Sequence, residues 1–189
     1  RGLGDVYKRQ VYNSHGFLIH DYFFAKTLDK LRAGGVAAYI TTKGTMDKES
    51  TKVREFLFKK AELLGAIRLP NTAFKNAGTK VTADILFLQK REKEIENPEW
   101  IAVTEDAQGF RINSYFVQHP EMILGTMQEI SGPYGMETTC VEKEGVPLGE
   151  RLRAAISHIT GHIPERVEEE RAEFRYTGRK KGRYHSVPD

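Results

Sequence analysis

"LPNTAFKNAGTKVTADILFLQK", residues 69–90, sets one aromatic residue, Phe74, among the chain breakers Pro70, Asn71, Asn76 and Gly78, and then runs into the apolar stretch at residues 85–88. "AIRLP" before the loop and "TADILFLQK" after it both read as strands, and the apolar run in the second predicts burial on both faces. The connection holds no helix and is too short to cross over a sheet, so the two strands must run antiparallel.

Upstream, "HGFLIHDYFFAKTLDKLRAGG" repeats Phe17, Phe24, Leu28 and Leu31 at helical spacing and stops at Gly34 and Gly35. "VAAYIT", residues 36–41, is a short apolar run expected as a strand covered on both sides. A polar loop, "TKGTMDKES", follows. Asp47, Ser50 or Thr51 then caps a second helix, "KVREFLFKKAELL", whose buried stripe is Val53, Phe56, Leu57, Ala61 and Leu64 and which ends at Gly65. The order helix, strand, helix, strand, loop, strand is that of the second half of a doubly wound α/β sheet, mostly parallel and covered by helices on both faces. Ligands of such sheets sit outside the carboxyl ends of the strands, which puts the loops after Thr41 and Leu69 on the working edge.

Composition narrows the function classes. A chain of 189 residues with 39% hydrophobic content fills one respectable core, and the net charge of +3 permits an anionic partner without requiring one. The single cysteine, Cys140, and six scattered histidines give neither an internal disulfide nor a cysteine or histidine metal site, which suits a reducing, cytoplasmic protein. No apolar stretch approaches membrane-spanning length, and the first residues lack a signal-peptide pattern. "RGLGDVYKRQ", residues 1–10, fits no helical or strand period and reads as a non-native leader.

From the histidine-aspartate helix through "LRAGGVAAYI" to "IRLPNTAFKNAGTKVTADILFLQK", residues 13–90 resemble the carboxyl-terminal half of the catalytic domain of N6-adenine DNA methyltransferases. The resemblance is greatest to type I modification subunits and to methylase-helicase proteins of phages and mobile elements. It implies a partial class I S-adenosylmethionine-dependent methyltransferase (Rossmann-like) α/β sheet whose last strand is antiparallel, with a small carboxyl-terminal extension. It implies S-adenosylmethionine as methyl donor, DNA as partner, and the remainder of a parent polypeptide, including a helicase domain, as neighbour. In that family a glycine-rich loop holds the donor and an Asn/Asp-Pro-Pro-aromatic motif engages the adenine amine. Neither is in this sequence, so residues 11–92 read as half of a methyltransferase domain, inactive alone, and no residue is assigned to catalysis or cofactor binding. A noncatalytic DNA-binding or scaffolding module of a helicase-like protein is the alternative, and an RNA or protein methyl acceptor a third.

The resemblance gives Phe74 a role. A base extruded from the duplex loses its stacking, and an aromatic ring on a loop at the sheet edge replaces it. Phe74 occupies the position where related enzymes hold such a ring, and Lys75 stands next to it to meet a phosphate. Lys43 and Thr45, at the carboxyl end of "VAAYIT", are further DNA- or pocket-rim candidates, against which stands the plain reading of a solvated loop charge. Phe74 likewise has a plain reading, a plug under its own loop. His20 and Asp21 are adjacent on a helix and point apart, so they form no catalytic pair; Phe23, Phe24, Leu28 and Leu31 read as core.

Beyond residue 92 an accessory α+β region to residue 163 is expected, with a short strand at "WIAV", a brief helix over residues 120–129, and a helix from Gly149 burying Leu152, Ala155, Ile156 and Ile159. Residues 164–189 alternate acidic and basic blocks with few aliphatic residues and read as a disordered linker whose "GRKKGRYH" end could attract nucleic acid.

Overall fold

The structure is a computed structural model that describes residues 19–132 and 135–162; the expected leader and the charged tail lie outside them. Three strands form the central sheet: β1 (Val36–Thr42), β2 (Ala61–Leu69) and β3 (Ala83–Lys90). Their order is β1-β3-β2, and β3 runs antiparallel to both neighbours. The antiparallel hairpin of β2 and β3 is therefore as the short loop requires. The mostly parallel sheet is not what the described strands form. β1 and β2 run in the same direction, but β3 lies between them and both ladders are antiparallel.

One sheet face carries Ala37, Leu86, Leu88, Leu63 and Ala66, which join Phe24 and Leu28 of α1 (Ile19–Lys30) and Leu57 and Phe58 of α3 (Lys52–Lys60) in the core. Tyr39 packs against Phe24 with ring centroids 4.6 Å apart and the rings tilted by 55°. The other face of β1 is bare. Val36 and Ile40 are 52% and 61% exposed, so among the described residues β1 is covered on one face only, and it stands at the edge of the sheet they form. β3 is covered on both faces as expected, though unequally: Leu86 and Leu88 are enclosed, and on the other face Ala83 and Gln89 are buried while Ile85 and Phe87 are partly covered. On α1 the expected core stripe loses Phe23, which is 58% exposed, because the neighbouring Phe24 takes the inward position.

Residues 61–64, expected as the last turn of a helix, belong to β2. Ala61 turns extended at φ −140° and ψ 148°, and Glu62 and Leu63 pair with Gln89 and Leu88. Ladder bonds to β3 and burial of Leu63 outweigh the helix propensity of "AELL", a weak local preference that tertiary pairing readily overrides. Gly65 sits at the irregularity of that ladder, where a Cβ would come 2.9 Å from Cγ1 of Ile159. The expected polar loop contains a helical turn, α2 (Gly44–Asp47). Thr51 does precede α3, but its hydroxyl bonds the Glu55 carboxylate at 2.5 Å instead of capping the backbone.

After the sheet come a small hairpin, β4 (Val103–Glu105) and β5 (Arg111–Asn113), and α4 (Ser114–Gln118), capped by the Asn113 side chain accepting from Tyr115 N. The strand expected at residues 100–103 thus begins only at Val103. The helix expected over residues 120–129 is instead a 3₁₀ turn, Pro120–Met122, leading into β6 (Gly125–Gly132), which pairs along its length with β7 (Gly135–Glu142). Met122 and Leu124 are drawn into the core and Leu124 N donates to Arg68 O at 2.8 Å, so the chain is extended where its local pattern suggested a helix. α5 (Leu148–Ser157) buries Ala155 as expected, but Ile156 is 46% exposed. Ile112, Phe116, Leu124, Met127, Cys140 and Ala155 belong to the same core cluster as the sheet. Among the described residues no helix is long and apolar enough to cross a membrane.

Candidate functional site at the sheet edge

Strand register brings the candidate loops together. Thr42 at the end of β1 and Leu69 at the end of β2 both pair with Ala83, the first residue of β3. The loop after β1 and the loop that joins β2 to β3 therefore meet at one edge, and Lys43 N donates to Thr82 O at 3.1 Å across it.

Here β1 turns directly into α2. The Thr41 and Thr45 hydroxyls lie 2.7 Å apart, and Thr45 is buried, its carbonyl accepting from Arg54 Nη1 at 3.2 Å. Arg54 is itself enclosed and gives its Nε to Ile101 O at 2.8 Å; burial lowers its basicity, opposed by the nearby acids Asp47, Glu49 and Glu55. Thr45 also borders a cavity of about 330 Å³, whose wall includes Asp21, Lys43, Asp47, Lys48 and Ser50. Lys43 and Thr45 thus share one cavity. Lys43 is not a free loop charge, because its Nζ donates to Thr138 Oγ1 of β7 at 2.9 Å.

Phe74 and Lys75 belong to the other loop and do not line that cavity. The Phe74 ring is partly buried and packs against the core cluster. Lys75 is exposed and opens the 3₁₀ turn Lys75–Ala77, which ends on Gly78 at φ +76°. That left-handed conformation costs a glycine little.

Two features of this edge escaped the sequence reading. The first lies beneath it: Arg68, fully buried, makes a two-pronged pair with Asp84 at 2.8 and 2.9 Å and reaches Asp47 with Nη1 at 2.8 Å. Its guanidinium carbon stands 4.3 Å from the centre of the Phe116 ring. Burial opposes the arginine's charge, but Asp84 and Asp47 outweigh it and hold its pKa above the ordinary range. Asp47 also accepts from Asn113 N at 3.0 Å, which ties α2 to the β5–α4 corner. The signal was present as charged residues inside two otherwise apolar strands, "AIRLP" and "ADILF". The second feature is the β6–β7 ribbon. Asn71 N donates to Cys140 O at 2.7 Å, Cys140 N to Thr82 Oγ1 at 2.8 Å, and Thr72 Oγ1 to Glu142 at 2.7 Å. These bonds fasten the base of the ribbon to both ends of the loop that joins β2 to β3.

Amines, hydroxyls and carboxylates line the cavity. The residues described do not make up a site for S-adenosylmethionine. The loop at the edge of β1 offers one glycine, Gly44, and no glycine-rich turn into a longer helix.

The family model of the N-6 DNA methylases matches residues 14–129, more than half of the chain. A stretch of 75 residues is 35% identical to the phage protein "Defense against restriction protein B" of Escherichia phage P1, covering 39% of this chain and 3% of that protein. The chain thus spans a small fraction of the length of that curated relative. No solved structure matches it. With more than half its length matched by that model, the chain belongs to the N-6 DNA methylase family.

Proposed function

We propose that the chain is the carboxyl-terminal part of the Rossmann-like catalytic domain of a DNA adenine-N6 methyltransferase. It forms the target-base side of a site in which methyl passes from S-adenosylmethionine to a flipped adenine. The observation that carries this reading is the antiparallel β3 between two like-directed strands, which sets the Lys43 and Phe74 loops on one sheet edge. Family membership supports DNA as the substrate. In this reading the Phe74 ring, braced on one side by the core and still partly exposed, is held ready to stack on the extruded base, and exposed Lys75 meets a backbone phosphate. Lys43 and Thr45 rim the neighbouring cavity, with Lys43 held in position by Thr138.

The donor loop and the amine-binding motif are not in the sequence, so the isolated chain is expected to transfer no labelled methyl group to DNA. The complete reading frame from which the chain derives is expected to do so. In that longer protein, Phe74→Leu keeps an apolar side chain against the core but removes the aromatic face. It should lower kcat/KM on duplex DNA by about 5- to 150-fold, the equivalent of the roughly 1–3 kcal/mol carried by one stacked base. Unchanged kcat/KM would leave Phe74 as a packing residue only. If the complete protein binds DNA but transfers no methyl group, the noncatalytic scaffold reading takes its place.

A further inference from the structure

The outer half of the β6–β7 ribbon takes no part in the site described so far. Its base is fixed to the sheet edge through Thr138, Thr139, Cys140 and Glu142. Past Met127 and Thr138 both strands leave the core, and each face then presents one carboxylate beside one apolar side chain. Strand pairing sets Ile130 opposite Glu137 on one face and puts Glu129 and Met136, opposite Thr138 and Ser131, on the other. All four are exposed, Met136 by 66%. The Glu137 carboxylate lies along the ribbon over Gly132, where an added Cβ would come 2.7 Å from its Oε1. A hairpin that buries so little on either face gains little stability from its outer half. Residues 125–142 hold Glu129, Glu137 and Glu142 and no lysine or arginine, so the ribbon repels polyanions and suits a cationic occupant with apolar side chains.

We propose that this occupant is the chain's own stretch "FRYTGRKKGRYH", residues 174–185, bound within the same molecule. Three observations select it. The first is charge: Arg175, Arg179, Lys180, Lys181 and Arg183 fall in this stretch with no acid among them, the complement of the ribbon. The second is apolar surface, since Phe174, Tyr176 and Tyr184 flank those cations and can cover Ile130 and Met136. The third is reach. His162, the last described residue, is bound through its backbone N–H and carbonyl to the Gln89 side chain near the end of β3. The base of the ribbon stands by Thr82 at the other end of that eight-residue strand, about 25 Å away. Residues 163–173 extend to about 35 Å and therefore span the gap. Exposed ion pairs of this kind are too weak to hold a separate peptide, but a tether raises the local concentration of its partner to the millimolar range. While seated, the basic stretch is withheld from polyanions. Its rival partner is the acidic block at residues 165–173, which carries Arg166 and Arg171 of its own.

The test is zero-length carbodiimide crosslinking of the full chain at low salt, with the joined residues read by mass spectrometry. Expected are amides from Glu129 or Glu137 to Lys180 or Lys181, lost in high salt and formed within one molecule when unlabelled and heavy-isotope-labelled chains are mixed. The second measurement is trypsin cleavage within residues 179–183, taken relative to cleavage after Arg166 in the same chain. Glu129→Gln combined with Glu137→Gln should raise that ratio by about threefold or more at low salt and leave it unchanged at high salt. Crosslinks only to the carboxylates of residues 165–173, crosslinks between labelled and unlabelled chains, or no crosslinks at all overturn the proposal. So does a cleavage ratio that the two substitutions leave unchanged. Both glutamates are exposed, so the substituted chain should melt at the same temperature as the wild type.

Discussion

Arg68→Ala is expected to cost about 3–5 kcal/mol of folding stability, enough to threaten a domain of this size. The guanidinium is fully buried and answers two carboxylates, Asp84 on the facing strand and Asp47 on α2. Removing it strands Asp84, while Asp47 keeps its bond from Asn113 N and still borders the cavity. Asp84 has no exposed surface, so its charge has neither solvent nor another arginine to turn to, and the Phe116 ring loses the cation resting on it. The pair itself need not be net stabilising, because desolvating three charged groups consumes much of what their attraction returns. This distinction is testable. In urea titrations Arg68→Met combined with Asp84→Leu should be markedly less damaging than Arg68→Ala alone, a negative coupling that only a buried, mutually dependent pair gives. A cost for Arg68→Ala near that of an ordinary surface change, about 0.5 kcal/mol, would show that the carboxylates find other partners. The same network bears on the site, since Asp47 lines the cavity shared by Lys43 and Thr45. Loss of Arg68 should therefore also loosen the α2 turn that shapes the cavity wall.

What the sequence disclosed and what it hid follow a physical division. Local, repeated signals were readable: the helix before Gly34 and Gly35, which ends at Lys30, the apolar run that became β1, and the hairpin of β2 and β3, whose direction follows from loop length alone. The edge position of Lys43 and Thr45 followed from the end of a strand. Errors arose where a distant partner decided. "AELL" has good helix formers, but its backbone is claimed by residues 88–90 of β3, some 25 positions away. "HPEMILG" carries a plausible helical start, yet Leu124 is recruited by the Arg68 carbonyl and the following residues by β7. Arg68 and Asp84 were each visible as a charge in an apolar strand, and reading the hairpin as register rather than order would have set them opposite one another. The ribbon left the weakest trace. It docks through threonine hydroxyls and backbone groups of Asn71, Thr82, Thr138 and Cys140, residue types without a distinctive period.

That docking rests on one small residue, and Gly125→Ala is expected to undo it. A Cβ at Gly125 would lie 2.3 Å from the Val141 carbonyl oxygen and 2.6 Å from Cys140 Sγ. The first of these is backbone in the opposing strand and cannot rotate away, so the added methyl must push β6 and β7 apart at their base. Once they part, Cys140 loses its cover, and with it go the bonds from Asn71 to Cys140 and from Lys43 to Thr138. Cys140 reports the event. In the native fold it is wholly enclosed and burial pushes its thiol pKa up to about 12, so at mildly alkaline pH almost no thiolate forms and a thiol reagent should label it only as fast as the chain opens. In Gly125→Ala the pKa should fall toward the ordinary thiol range and labelling should become fast without denaturant, alongside a clear drop in melting temperature. Gly149→Ala supplies the contrast. It lies in the first turn of α5 with nothing within 4 Å of an added Cβ, and an alanine there should raise stability by at most about 0.5 kcal/mol with Cys140 as protected as before. Equal protection of Cys140 in both alanine variants would mean that the strands accommodate the methyl, and that the ribbon is held from the loops rather than from its own base.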